Sequence, residues 1–221
     1  MFRSYRPGFF PWYLELDEVF FLQCVLGQTI EVSLRVKQDN FLLRPDDDKN
    51  YLLRKPVKKE NKLLWQDSNL KVSSPPLYQI NCSINKCNIE ILKSIVPSNT
   101  TLEIDLFMLT EPVKEKDMRP LFPYSLMMLD ANSLMIVKNQ LLLPVPTLEA
   151  MWGTIPSHIA EHLAKIRLLP EKIIVSSELI YQVLIKLCYN LGISLERIEV
   201  LPNISQAREL MSEFFKQQQN K

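Results

Sequence analysis

Apolar and polar positions follow two different rhythms along this chain, and the change comes near residue 100. Beyond it the pattern is regular. "TLEIDLFML" (101–109) sets β-branched and apolar residues at strand length. "LFPYSLMMLD" and "SLMIVKNQLLL" flank the tetrad Asp130-Ala131-Asn132-Ser133, whose side chains favour a turn, so a hairpin is predicted there. "VPTLEAMW" opens a helix with Thr147 as N-cap; Pro156 predicts a break, and Ser157 caps a second piece running to about Leu168. The strand "KIIVS" follows. Next comes a helix whose stripe is Leu179, Val183, Leu184, Leu187 and Leu191, with Gly192 where a C-cap belongs. "ERIEVL" and a helix over about 204–217 close the chain, giving the order β-β-β-α-β-α-β-α from Thr101. Short connections make the first three strands antiparallel neighbours, and the later alternation predicts parallel crossovers.

The first hundred residues read as an irregular, β-rich region, a domain distinct from 101–221. "EVFFLQCVLGQTIEVSLRVKQ" predicts two strands around Gly27, because Ile30, Val32, Leu34 and Val36 alternate with polar residues. Charge, lysine and proline dominate 46–76, with "PDDDKN" and "SSPP" as loop signals. "INKCNIEILKSIVPSN" holds one short helix that stops before Pro97.

Composition narrows the chemistry. The 221 residues are 47% hydrophobic, enough for a substantial core, and 26 basic residues nearly cancel 25 acidic ones, so no global field favours an anionic partner. Only four glycines occur, Gly8, Gly27, Gly153 and Gly192, too few and too scattered for a phosphate-cradling loop, so no nucleotide cofactor is expected. The cysteines Cys24, Cys82, Cys87 and Cys188 form no disulfide framework. With no signal-like apolar region and no run approaching a membrane span, a soluble cytoplasmic protein without a membrane partner is the expectation. One local exception is "RKPVKKENK" (54–62) between Tyr51 and Trp65. Arg54, Lys55, Lys58, Lys59 and Lys62 can track phosphates while the aromatics stack on bases; the plainer reading is a solvated loop.

The segment from "TLEIDLFML" through "NQLLLPVPTLEAM", together with "KIIVSSELIYQVLIKLCYNLGI", resembles the core of retroviral-integrase-type transposases. The wording from "RPLFPYSLMMLD" onward also resembles a bacterial domain family of unknown function. The resemblance covers about 101–215. It implies a ribonuclease-H-like α/β (α+β) domain with a mixed sheet, in which clustered carboxylates hold Mg²⁺ or Mn²⁺ for phosphodiester chemistry. By that resemblance Asp105 matches the first-strand acid and Glu178 falls where the second metal carboxylate is expected. Glu213, 35 residues on, is the final acid, with Glu209 its rival. The chain departs from the pattern: a Glu stands in the second position, "SSELIYQ" lacks the usual small residues, and Pro156 falls in a helix that is normally continuous.

Each candidate also has a plain structural reading. Glu178 in a first helical turn complements the helix dipole. Asp105 is an acid on a solvated strand face, Asp130 a turn residue, and Glu209 and Glu213 surface partners of Arg208 and Lys216. Cys82-x₄-Cys87 with His158-x₃-His162 has the ligand types for zinc, but some seventy residues separate the pairs. Cys188 reads as core. The favoured function is therefore non-catalytic: a degenerate ribonuclease-H-like domain that binds a protein or nucleic-acid partner without a cofactor. The alternative is a divergent Mg- or Mn-dependent nuclease using Asp105, Glu178 and Glu213.

Overall fold

A computed structural model describes residues 1–43, 50–60, 62–71, 73, 80–114 and 118–219, with the backbone alone at 212 and 214–219. The loop signals at 45–49 and 74–76 lie outside the described residues. The chain forms two compact units: Met1–Ser4 with Trp12–Leu77, and Tyr5–Pro11 with Tyr78–Lys221.

In the first unit the expected pair of strands around Gly27 is one α-helix, α1 (Leu16–Val36). Residues 30–36 alternate, but the longer window carries a capping box between Glu15 and Glu18 and no proline. Glu31 and Arg35, four apart, also share a helix face, as a strand would not require. The expectation that no run reaches the length of a membrane span is likewise corrected, since α1 is long and apolar enough by length and composition. The basic run is no loop: β1 (Asn50–Lys59) and β2 (Lys62–Lys71) form an antiparallel hairpin in unbroken register from Asn50↔Lys71 to Lys59↔Lys62. Among the described residues of this unit only Ser4 is buried.

The second unit is three-layered. After α2 (Lys86–Lys93) come β3 (Ser98–Met108), β4 (Tyr124–Asp130), β5 (Ile136–Leu142), α3 (Leu148–Lys165) and β6 (Pro170–Val175), then α4 (Glu178–Leu191), β7 (Ser194–Arg197) and α5 (Pro202–Gln219). The sheet order is β5-β4-β3-β6-β7, with β4 antiparallel to β3 and β5, and β6 parallel to β3 and β7. One face packs Leu102, Ile104, Leu126, Met128, Ile173 and Val175 against Ile155, Ile159 and Leu163 of α3 and Val183, Leu184 and Leu187 of α4. The other face meets α5: Met127, Leu129, Leu201 and Ile204 are buried there, with Phe107, Ala207 and Met211 beside them.

Local chemistry explains most boundaries. Thr147 accepts from the Ala150 N–H at 3.2 Å and starts α3. Gly192 ends α4 in the left-handed conformation at φ 69°. Asp130 makes the predicted turn, accepting from the Asn132 N–H at 3.0 Å and from the Ser133 hydroxyl at 2.7 Å; these bonds lower its pKa.

The predicted break at Pro156 does not occur. Pro156 is buried inside a continuous helix, where packing of Met151, Ile155, Ile159 and Leu163 on one face outweighs the missing hydrogen bond. Three residues earlier, Gly153 faces crossing backbone. A Cβ there would lie 2.5 Å from the Asn81 carbonyl oxygen, and the Gly153 carbonyl accepts from the Ser83 N–H at 3.2 Å. Gly153→Ala is therefore expected to destabilise, even though alanine is the better helix former by about 1 kcal/mol. A net loss of roughly 1–2 kcal/mol should appear in urea unfolding, and equal or greater stability would refute the close approach.

Candidate functional site: the carboxylate face of the central strand

Alternation along β3 sends Leu102, Ile104 and Leu106 to the larger core and Glu103, Asp105 and Phe107 to the face that α5 covers. Glu103, only 2% exposed, is the carboxylate that sequence reasoning passed over. Its Oε2 accepts from the Ile204 backbone N–H at 3.0 Å, and its Oε1 accepts from Asn203 Nδ2 at 2.7 Å. The Ile204 N–H lies in the first turn of α5, where backbone N–H groups have no partner within the helix, and the Asn203 side-chain amide comes from the same turn. Glu103 thus caps a helix a hundred residues away, which its position in "TLEIDLF" does not announce.

Asp105 lies one step along the same face. Its side chain is 13% exposed, and Arg208 Nη1 of α5 stands 3.6 Å from Oδ2. The Arg208 guanidinium carbon also lies 4.3 Å from the centroid of the Phe107 ring, so a cation–π contact and a carboxylate hold one cation. Burial raises the Asp105 pKa, opposed by the Leu106 N–H and by Arg208. The sequence suggested a solvated face and paired Arg208 with nearby glutamates; α5 covers the face and brings Arg208 to Asp105.

Glu178 is the first residue of α4, and its side chain is 57% exposed. Its Oε1 accepts from Gln182 Nε2 at 2.7 Å, and its Oε2 pairs with Arg197 at the end of β7. Ser177 occupies the N-cap position without a side-chain hydrogen bond. Glu213 and Glu209 are exposed on α5. Asp105 and Glu178 therefore have separate arginine partners, and among the described residues no three His, Cys, Asp or Glu side chains gather as a metal site.

The other candidates are also dispersed. His158 Nδ1 lies 3.3 Å from Gln140 Nε2, His162 Nε2 lies 3.1 Å from the Val137 carbonyl, and Cys82 is beside the Val183 carbonyl. Burial first, then Lys138, lowers both histidine pKa values. Burial pushes the Cys188 thiol up to about 12, in keeping with a core role.

On the hairpin the five basic residues divide. Arg54 turns toward α1, with its side chain 12% exposed. It donates to Gln28 Oε1 at 2.9 and 3.0 Å, Glu31 Oε1 at 2.7 Å and Asp67 Oδ1 at 2.6 Å. Arg35 pairs with the same Asp67. Lys55, Lys58, Lys59 and Lys62 are exposed. Strand pairing puts Lys55, Lys59 and Lys62 on the face of Tyr51 and sends Trp65, paired with Pro56, to the opposite face, so the two aromatics form no common platform.

Two expected outcomes follow from these contacts. Glu103→Ala leaves two donors at the start of α5 without an acceptor and should cost roughly 2–3 kcal/mol in denaturant unfolding, and an unchanged midpoint would refute the cap. Asp67 is held well below its ordinary value, at about 2, by Arg35 first and then Arg54. A depressed acid pKa stabilises the fold above the unfolded value and loses that contribution as pH falls through the folded one. Thermal unfolding should therefore show an added loss from about pH 4 down to about pH 2 that is absent in Asp67→Asn. Identical pH profiles would disprove the clamp.

Comparison with known proteins adds a family and no activity. No curated protein matches the chain. Domain of unknown function (DUF7309) matches residues 1–54. Domain of unknown function (DUF6930) matches residues 88–212, more than half of the chain and nearly all of the sheet and its helices. The chain therefore belongs to the family Domain of unknown function (DUF6930).

Proposed function

We propose that the second unit is a ribonuclease-H-like domain whose carboxylate site has been closed by arginine, and that the protein works by binding a partner rather than by cleaving one. The fold reading is supported by the element order β-β-β-α-β-α-β-α from β3 and by a sheet with β3 at its centre, flanked by an antiparallel pair and a parallel pair. The observation that carries the functional reading is Arg208. Its guanidinium lies beside Asp105, the first-strand acid, and over Phe107. A divalent ion at Asp105 would have to share that carboxylate with a fixed cation, and Glu178 is engaged by Arg197 and Gln182. These residues do not fit a two-metal site, and no hydrolytic step is derived through one.

Partner chemistry is proposed from the hairpin. Lys55, Lys59 and Lys62 share a face with Tyr51, which is 53% exposed, so an anionic partner such as single-stranded nucleic acid is favoured by charge and by one stacking surface. A protein partner with an acidic surface is the other reading of the same face, and neither needs a cofactor.

The test pairs two assays. Purified protein with Mn²⁺ and single- or double-stranded DNA and RNA should give no cleavage that Asp105→Asn abolishes; cleavage lost in that variant would overturn the non-catalytic reading. Single-stranded DNA and RNA binding, followed by fluorescence anisotropy, should weaken with rising salt and fall about tenfold or more in Lys55→Glu/Lys59→Glu. Binding insensitive to salt and to that variant would remove nucleic acid as the partner.

A further inference from the structure

α1 has two apolar sides. One turns inward, where Phe21, Val25 and Val32 line a groove of about 970 Å³ with Leu52, Leu63 and Trp65 of the hairpin. Glu31 and Arg35 fix that geometry through Arg54 and Asp67. The other side carries Leu16, Val19, Gln23, Leu26, Ile30 and Leu34, all exposed, with Leu16 at 88% and Ile30 at 64%. Their spacing alternates threes and fours up to Ile30, the rhythm by which one helix packs along another. The seam from Leu16 to Leu34 runs about 27 Å at the helical rise.

We propose that this seam is a self-association surface, pairing α1 with α1 of a second copy of the chain. Three observations choose that occupant. First, the seam and the positions nearest it, Phe20, Gly27 and Ser33, carry no charge. Asp17, Glu18 and Arg35 lie on other sides of the helix and Glu31 is paired with Arg54 of the hairpin, so within α1 a two-fold axis along the seam brings no like charges together. Second, the one strongly polar seam residue, Gln23, carries both donors and an acceptor and can satisfy the same side chain of a second copy. Third, a Cβ at Gly27 would meet nothing within 4 Å, which leaves open space for a partner backbone to approach.

A lipid surface fits less well. It has no use for the spacing, offers Gln23 no fixed partner, and meets a helix with three acids and one base. The first unit has no apolar residue buried among its described residues, and a homodimer whose interface resembles half of a domain core supplies what is missing.

The test is the mass of the full chain by sedimentation velocity and light scattering across the micromolar range. The expected result is a species of twice the 25.8 kDa chain mass that dissociates on dilution. Leu26→Lys/Ile30→Lys should weaken association roughly hundredfold, the scale expected for losing two central anchors. Ile185→Lys, an equally drastic change at an exposed residue of α4, should leave the mass unchanged. Circular dichroism checks folding; if the lysine variant does not fold, Leu26→Ala/Ile30→Ala must still weaken the dimer. A wild-type monomer throughout the range overturns the proposal. So does a dimer indifferent to the seam variants, or a monomer that sediments with phosphatidylcholine–phosphatidylglycerol vesicles.

Discussion

The second unit depends on burying β3 on both faces while that strand carries two carboxylates. Leu102, Ile104 and Leu106 are ordinary core residues on one side. On the other, Glu103 and Asp105 would each impose a desolvation cost if α5 covered them without partners. α5 supplies those partners, with Ile204 N–H and Asn203 on Glu103 and Arg208 near Asp105. The same contacts give α5 its position, because Ile204 is also one of the four residues buried in the smaller core. Helix start, apolar packing and charge compensation coincide there, so the helix has one seating in which all three are satisfied together.

That arrangement also bears on chemistry. A strand acid covered by a helix is where a metal-dependent site can be built, and the difference lies in what the helix brings. A second acid would raise the demand for a cation, whereas Arg208 meets it with a permanent one. Phe107 restricts the guanidinium further, since its ring lies on the same strand face two residues from Asp105. The raised Asp105 pKa reflects burial that Arg208 offsets only in part.

The first unit solves the opposite problem. It has charged groups in well-formed contacts and, among its described residues, no buried apolar side chain. Arg54 is its centre, bonded to Gln28 and Glu31 of α1 and to Asp67 of the hairpin, which also receives Arg35. Contacts of this kind specify orientation more than they contribute stability, because exposed ion pairs are weak. The outward apolar residues of α1, Leu16, Val19, Leu26, Ile30 and Leu34, are exposed.

Much of the second unit was legible in sequence because its signals are local. The Asp130 turn, the Thr147 cap, the Gly192 C-cap and the stripe of the helix before it each depend on residues within a few positions; the structure keeps the first three and the stripe from Val183 to Leu191, with Ile180 buried in place of Leu179. The α1 helix is ambiguous in sequence because alternation over 30–36 satisfies a strand as well as a helix with two apolar sides. Pro156 signals a break locally because the packing that holds α3 together comes from other elements. The sequence by itself determined the order of elements from β3 onward and the turn and cap residues at Asp130, Thr147 and Gly192. Only tertiary structure decided which carboxylate caps α5, which arginine faces Asp105, and that Arg54 turns inward while its neighbouring lysines stay in solvent. Those pairings join residues 13 to 103 positions apart, and no local periodicity encodes a partner at that distance.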